Sequence, residues 1–172
     1  MTKLEIISVP DPILKTISKE VDVVDDDLRL LMDNMAEAMY NAPGIGLAAI
    51  QVAVPKRLLV IDTHGDDELK KPVFMVNPEV IWESEEFNIY NEGCLSVPEH
   101  YAEIERPASV RVKYLDYFGK AREELLEGLS ATCVQHEIDH LNGVVFIDYL
   151  SNLKRNMIIK KVIKAEKNVK AL

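Results

Sequence analysis

The segment Gln135–His140 reads QHEIDH, and it constrains this chain more than any other stretch. On an α-helix, residues four apart share one face, so the rings of His136 and His140 can reach a single metal ion. Glu137 then lies beside that ion, where its carboxylate can contact a water molecule. The pattern therefore predicts a hydrolytic metal site on a helix.

A third ligand is needed, and the two cysteines are the candidates. Cys133 lies on the same helix, but its seven-residue separation from His140 corresponds to roughly 10 Å of axial rise. Its short side chain cannot close that gap while both imidazoles stay bound. Cys94 comes from elsewhere in the chain and can approach from outside the helix, as a tetrahedral shell requires. We therefore predict Cys94, His136 and His140 as ligands, and Cys133 as a small buried residue.

Three motifs together resemble the signature of the bacterial peptide deformylases. They are Gly44–Gln51, Glu92–Ser96 and Gln135–His140, in the order that the family shows. Further similarity covers Pro10–Leu14, Leu58–Asp62 and Phe146–Leu150, so the resemblance spans nearly the whole chain. It implies a metal-dependent hydrolase of the iron type, with a C-terminal helix, that removes the formyl group from N-formylmethionyl nascent peptides.

The resemblance also assigns residues around the reacting carbonyl. It implies that the Gln51 side chain and the Leu95 backbone N–H hold the oxyanion, and that Glu137 transfers the proton. By position, seven residues match the family's substrate pocket: Ile45, Gly46, Tyr90, Glu92, Gly93, Leu129 and Cys133. Tyr101 stands where many bacterial members have arginine, so preferences beyond the first residue of the peptide do not carry over.

The identity of the metal rests on two different arguments. One thiolate and two imidazoles suit Zn²⁺ by softness and geometry. The family resemblance instead implies Fe²⁺ in the cell, with Zn²⁺, Ni²⁺ or Co²⁺ as substitutes in a purified sample. We expect one divalent ion per chain, and an exposed Cys94 as the oxidation-sensitive ligand.

Gly44, Gly46 and Ala49 also fit the spacing of a dinucleotide-binding fingerprint. That fingerprint requires a strand before the glycines and a helix after them. The chain predicts the reverse order here, with a helix first. We therefore interpret the small residues as a close backbone approach to a ligand that brings Gln51 beside the metal.

Periodicity predicts an α+β fold, with short mixed or antiparallel strands around the central HExxH helix. A first helix is capped by Asp25–Asp27 and ends at Pro43-Gly44, and the metal-binding helix has Ser130 as its N-cap and Gly143 as its stop. The apolar stripe of the first helix comprises Leu28, Leu31, Met35 and Met39. The candidate strands are Leu58–Asp62, Val73–Val76, Val80–Trp82, Ser109–Tyr114 and Glu123–Leu126, with a hairpin turn at Tyr117–Lys120.

Charge divides the chain into an acidic body and a basic tail. Residues 1–150 carry a net charge of −15 and residues 151–172 carry +6. Lys160, Lys164 and Lys167 share one face of the predicted C-terminal helix. That face is either solvated, with the helix packed on its own domain, or a contact for ribosomal RNA near the exit tunnel, as the family resemblance implies.

We expect residues 1–172 to form one catalytic domain, active as a monomer, with 151–172 as the basic helix. No apolar run approaches the ~18 residues of a membrane span, and the N-terminus lacks the apolar core of a signal peptide, so we expect no membrane contact and a cytoplasmic location. His64 and His100 are expected in exposed loops. Asp139 is expected to make a structural hydrogen bond rather than a metal bond.

Two other functional classes remain open from the sequence. A zinc peptidase also uses HExxH, but its usual third ligand is a downstream Glu or His, and no His follows His140. A non-catalytic ribosome-binding protein could keep a structural metal, although such a site has no need of Glu137. Release of formate from formyl-Met-Ala separates these classes.

Overall fold

The structure, a computed structural model, describes residues 2–65 and 69–171 of the chain. Within these ranges it has three α-helices and seven β-strands, and this α+β arrangement confirms the predicted fold class. The helices α1, α2 and α3 span Asp26–Asn41, Gly128–Leu141 and Asn152–Ala171. The strands β1 to β7 span Gly46–Ala48, Leu58–Ile61, Val73–Glu83, Phe87–Cys94, Val97–Pro107, Ser109–Leu115 and Ala121–Glu127.

Helix α1 begins and ends where its sequence predicts. The side chain of Asp25 accepts a hydrogen bond from the backbone N–H of Leu28, which satisfies one of the free donors of the first turn. The helix ends at Asn41, shortly before Pro43. Its buried face includes Leu28, Met32, Met35 and Met39, whereas Leu31 is only half-buried.

Five strands form an antiparallel sheet in the order β1-β2-β3-β6-β7. This sheet supplies residues to the hydrophobic core. Two predicted strands, Val73–Val76 and Val80–Trp82, are one strand in the structure, β3. The two predicted apolar runs lie on either side of a register shift between Val76 and Glu79, where Asn77 has a φ of +52°. The strand continues through this irregularity. The predicted hairpin between β6 and β7 is confirmed, and it turns at Asp116–Lys120.

The hairpin of β4 and β5 was not predicted. Its strands pair over most of their length and form a second sheet. In β4 the apolar residues Phe87 and Ile89 are exposed. In β5 burial alternates from His100 to Arg106, but both of those inward-facing end residues are polar, so the sequence shows only a short apolar alternation. Cross-strand pairing therefore defines these strands, and the tight turn between them leaves Cys94 at the end of β4.

Helix α2 packs against strands of both sheets, and most of its residues are buried. Its predicted start at Ser130 was wrong, because the helix begins at Gly128 with Glu127 at the N-cap position. Gly128 has a φ of +60°, and this lets the chain turn from β7 directly into the helix. The Ser130 hydroxyl instead bonds the hydroxyl of Thr63 at 2.6 Å. The predicted stop is confirmed, since Gly143 follows the helix with a φ of +77°.

Helix α3 packs on β5 and on the 3-10 turn Phe146–Tyr149. Val162 is buried, whereas Lys160, Lys164 and Lys167 are exposed. The residues of α3 that pack into the core are Ile158, Ile159 and Val162, in the middle of the helix. Among the described residues, no helix is long and apolar enough to cross a membrane.

Candidate metal centre and active site

Helix α2 and the end of β4 bring Cys94, His136 and His140 together. One ligand-type atom from each residue lies within 4.8 Å of the other two, and Cys94 Sγ is 3.3 Å from His140 Nε2. In a tetrahedral shell with ordinary metal–ligand bond lengths, sulfur and nitrogen stand about 3.6 Å apart. Both histidines are buried and Cys94 is partly exposed. These donors therefore fit one divalent ion at a site that is open on one side.

Cys133 lies on the same face of α2 but outside this group. Its thiol points to the backbone carbonyl of Ile45, with Sγ 3.6 Å from the oxygen. Burial raises the pKa of this thiol well above its ordinary value, and the nearby carboxylate of Glu137 adds to the effect. Cys133 therefore remains a protonated, apolar wall residue.

Glu92 orients the ring of His136. The Nδ1 atom of His136 lies 2.9 Å from Glu92 Oε1, so an N–H there leaves the lone pair of Nε2 free for a metal. Arg106 donates two hydrogen bonds to the same carboxylate, at 2.6 and 3.0 Å. Burial alone would raise the pKa of Glu92, but the bonds from His136 and Arg106 bring it below the ordinary value. The Glu92 carboxylate is therefore held as an anion.

Sequence reasoning missed Arg106 and assigned Glu92 only to the substrate pocket. On β5, Arg106 follows the buried Ile104 with the two-residue spacing of one strand face, which could have indicated that it points inward. Its charge suggested a solvent-exposed position instead. The arginine is buried because two carboxylates, those of Glu92 and Asp139, surround its guanidinium.

The two histidines have opposite electrostatic environments. Burial alone would lower the pKa of His136, but its hydrogen bonds with Cys94 and Glu92 outweigh burial and hold the pKa well above its usual range. Burial lowers the pKa of His140 well below its usual value, and the positive charges of His136 and Arg106 lower it further. The cluster thus favours a single positive charge beside the Glu92 carboxylate and the sulfur of Cys94, which a bound cation would supply in place of the proton.

Glu137 is a buried carboxylate with an unused oxygen. Its Oε1 atom lies 4.0 Å from His136 Nε2, and its Oε2 atom has no hydrogen-bond partner among the described residues. Burial raises the pKa of Glu137 to about 7. A carboxylate that exchanges a proton near neutral pH, beside a cavity, has the properties of a general base.

Gln51 lies in the 3-10 turn Ala49–Val52 and is almost fully buried. Its Oε1 accepts a hydrogen bond from Ala48 N–H, so the amide nitrogen points the other way. That nitrogen is 3.0 Å from Ser96 Oγ and 3.6 Å from Cys94 Sγ. The Gln51 amide is therefore a donor aimed at the mouth of the ligand cluster.

A cavity of about 730 Å³ opens beside this cluster and Glu137. All seven residues predicted for the substrate pocket line it, namely Ile45, Gly46, Tyr90, Glu92, Gly93, Leu129 and Cys133. Leu95 lines it as well, and Tyr101 lies at its mouth, over Gly93 and largely exposed. Its walls are mostly apolar, which suits an unbranched hydrophobic side chain.

Of three further residues considered in the sequence, His64 and Asp139 lie as predicted and His100 does not. His64 is exposed, as predicted, with Nδ1 3.0 Å from Asp62. The prediction of an exposed loop for His100 was wrong, since it lies half-buried on β5 and lines the cavity. Asp139 makes the structural hydrogen bonds that were predicted, with Arg106 and Tyr149 as its donors.

Comparison with known proteins identifies the family. The sequence profile described as polypeptide deformylase matches residues 3–156. The chain belongs to this family. The peptide deformylase of Rhizobium meliloti is 56% identical over 167 residues, which cover 97% of this chain and 96% of that protein. That of Phenylobacterium zucineum is 58% identical over 163 residues, or 95% and 96% of the two chains.

Solved structures of peptide deformylases share the fold. The enzyme of Ehrlichia chaffeensis matches with a TM-score of 0.91 and 43% identity over 97% of this chain and 98% of that chain. The enzyme of Legionella pneumophila also has a TM-score of 0.91, with 44% identity and coverages of 99% and 98%. A second Ehrlichia chaffeensis structure is a complex with actinonin.

Family membership confirms the predicted resemblance and the predicted activity. Peptide deformylases are hydrolases that remove the formyl group from nascent peptides, and this is the activity of the chain. They are metal-dependent, which agrees with the potential metal-binding group formed by Cys94, His136 and His140.

Proposed function

We propose that Cys94, His136 and His140 bind one divalent metal ion, and that Glu137 is the general base of deformylation. The observation that carries this proposal is the cluster of three ligand-type atoms within 4.8 Å, with the unpaired Oε2 of buried Glu137 beside it. When bound, the ion would supply Lewis-acid chemistry, which lowers the pKa of water toward neutrality.

In this proposal, Glu137 carries the proton through the reaction. It accepts a proton from water as the water oxygen bonds to the formyl carbon of an N-formylmethionyl peptide. It then gives the proton to the amide nitrogen as the C–N bond breaks, which yields formate and a free N-terminal methionine. The pKa of about 7 for Glu137 supports both steps, because the group can take and release a proton at neutral pH.

Gln51 and Leu95 are the proposed donors to the developing oxyanion. The Gln51 amide is held by Ala48 and Ser96, so it needs no reorganisation to donate. Leu95 follows Cys94 at the turn between β4 and β5 and lines the cavity, which supports a role for its backbone N–H. Loss of one such donor typically costs about 3 kcal/mol in the barrier.

The substrate methionine is proposed to enter the cavity of about 730 Å³. Ile45, Gly46, Leu129 and Cys133 form apolar or small walls, and Tyr90 and Gly93 belong to the strand beside them. Glu92 contributes differently from the other six predicted pocket residues. Its carboxylate orients His136 and holds it for metal binding.

Fe²⁺ is the metal proposed in the cell, from family resemblance, with Zn²⁺, Ni²⁺ or Co²⁺ able to replace it in purified protein. A thiolate with two neutral imidazoles accommodates each of these ions. The partly exposed Cys94 is then the expected site of oxidative inactivation.

Residues 1–172 are proposed to act as one catalytic unit and as a monomer in the cytoplasm, near the ribosomal exit tunnel. The exposed lysine row of α3, formed by Lys160, Lys164 and Lys167, supports contact with RNA phosphates. Formylated nascent peptides are made at the ribosome, so such a contact would bring the cavity close to its substrate.

The test is an assay of metal-loaded protein with formyl-Met-Ala and with unblocked Met-Ala. We expect formate from the first peptide, and no cleavage of the second. Cleavage of Met-Ala would indicate a peptidase instead. Ribosome binding without release of formate would indicate a non-catalytic protein.

A further inference from the structure

We propose that Tyr149 and Asp139 are positioning residues that hold His136 in its metal-binding orientation through Arg106 and Glu92. The inference rests on the proposed function, because it takes His136 as a metal ligand. The Tyr149 hydroxyl donates to Asp139 Oδ2 at 2.7 Å, and Arg106 donates to the same oxygen at 2.9 Å. Arg106 in turn holds Glu92, whose carboxylate bonds His136 Nδ1.

Arg106 and Glu92, the two members of this chain of contacts nearest to His136, are buried and hydrogen-bonded. Arg106 is 5% exposed and Glu92 is 7% exposed. The Nε, Nη1 and Nη2 atoms of the guanidinium each have a carboxylate partner. Because the guanidinium is planar and rigid, the oxygen that binds Nη1 also sets the angle at which Nε and Nη2 meet Glu92.

Asp139 is the outer and less constrained member. It is only partly buried, and it lies on the wall of a second cavity, of about 530 Å³, that also exposes Tyr149. In that position a carboxylate can rotate toward water and release Arg106. Tyr149 prevents this, because its hydroxyl holds Oδ2 while its ring lies over the guanidinium, with the ring centroid 5.2 Å from Cζ.

The 3-10 turn that carries Tyr149 also contacts His136 directly. Phe146, the first residue of this turn, is buried and stacks on the His136 ring with a centroid separation of 6.1 Å and an interplanar angle of 28°. The turn is fixed by Asp148, which accepts a hydrogen bond from Val145 N–H and pairs with Lys15 and Arg155. The turn Phe146–Tyr149 therefore restrains the His136 ring in two ways. Phe146 contacts the face of the ring, and Tyr149 acts on its Nδ1 side through Asp139, Arg106 and Glu92.

A purely structural role would give these contacts a different signature. If Tyr149 only stabilised the junction before α3, its loss would lower the melting temperature and leave the metal centre unchanged. If Tyr149 positions His136, loss of its hydroxyl should alter the rate of metal dissociation and the ligand field of the metal, even in a variant whose melting temperature equals that of the wild type. Metal binding therefore separates the two roles without relying on activity.

The experiment compares Tyr149→Phe with Tyr114→Phe. The Tyr114 hydroxyl also donates to a carboxylate at 2.7 Å, that of Glu124, but it lies on the hairpin of β6 and β7. Each variant loses one hydroxyl and keeps its ring. The readouts are the dissociation rate of Co²⁺ into a chelator, the absorption spectrum of the Co²⁺ protein and the melting temperature.

We expect Tyr149→Phe to release Co²⁺ about 3- to 10-fold faster than the wild type and to shift its absorption bands. Direct partners of ligating histidines typically contribute 10–100-fold in metal affinity, and Arg106 and Asp139 lie between Tyr149 and the direct partner Glu92. Asp139→Asn should give a larger effect, and Tyr114→Phe should match the wild type. With formyl-Met-Ala, kcat should fall and KM should change little.

Equal Co²⁺ dissociation rates and spectra for Tyr149→Phe, Asp139→Asn and the wild type would overturn this inference and leave the proposed function intact. A wild-type protein that binds no Co²⁺, Zn²⁺ or Fe²⁺ would overturn both. If Tyr114→Phe weakened metal binding as much as Tyr149→Phe, the effect would be general stability, and the positioning role would again be rejected.

Discussion

Gly46 lies so close to Glu137 that a Cβ at position 46 would stand 2.7 Å from the Oε1 atom of the glutamate. The same Cβ would be 2.9 Å from the sulfur of Cys133. Strand β1 therefore packs its bare backbone against the face of α2 that carries the proposed general base. The glycine is required by this close approach and not by a left-handed backbone.

Gly46→Ala should reduce kcat/KM at least 10-fold and destabilise the fold by about 1–3 kcal/mol, as overpacking of a filled interior does. Steady-state kinetics and thermal unfolding measure the two effects. Cys133→Ala tests which neighbour matters. We expect the double variant Gly46→Ala/Cys133→Ala to keep its reduced kcat/KM, because the close contact between position 46 and Glu137 persists. Full recovery of activity in the double variant would assign the clash to Cys133 alone.

Glu137→Gln should keep the metal and lose about 10²–10⁴-fold in kcat, because the amide preserves the shape of the side chain and cannot accept the proton. Metal content by elemental analysis and hydrolysis of formyl-Met-Ala are the measurements. A metal-loaded variant with full activity would contradict the role proposed for Glu137.

Cys94→Ser should bind metal far more weakly than Cys133→Ser, because only Cys94 belongs to the ligand cluster. We expect Cys133→Ser to keep its metal, with at most a moderate change in KM from the altered pocket wall. Both proteins should be purified anaerobically and analysed for iron and zinc, and the wild type should contain mainly iron. The assignment fails if the two variants retain equal metal and equal activity.

Changing Lys160, Lys164 and Lys167 to Glu should abolish co-sedimentation with ribosomes at low salt and leave hydrolysis of formyl-Met-Ala nearly unchanged. Wild-type binding should weaken steeply as salt rises, because phosphate contacts release counterions. A control with the same change in charge replaces three exposed lysines of the body, Lys3, Lys56 and Lys120. If the α3 variant binds ribosomes as the control does, the lysine row is only a solvated face.

Local sequence determined the parts of the site that lie within one helical element. The four-residue spacing of His136 and His140 puts both rings on one face of any α-helix, and Glu137 follows as their neighbour. The cap at Asp25 and the alternation predicted for Ser109–Tyr114 are equally local, and both elements form there, the strand extending one residue further to Leu115. Such features can be predicted from the sequence, because backbone geometry alone determines which side chains of a helix or strand share a face.

Tertiary structure decided the parts that depend on residues distant in the sequence. The β4–β5 hairpin, which supplies Cys94 and Glu92 to the site, lacks a clear pattern and forms by pairing between its strands. Arg106 is buried because carboxylates from β4 and α2 meet at its guanidinium, and neither can be inferred from its neighbours in the chain. The position of His100 beside the cavity also depends on distant segments, since the helices that pack on β5 determine which of its faces is covered. Spacing within a helix thus determined two proposed ligands and the proposed base, whereas packing between distant segments decided what holds them in place.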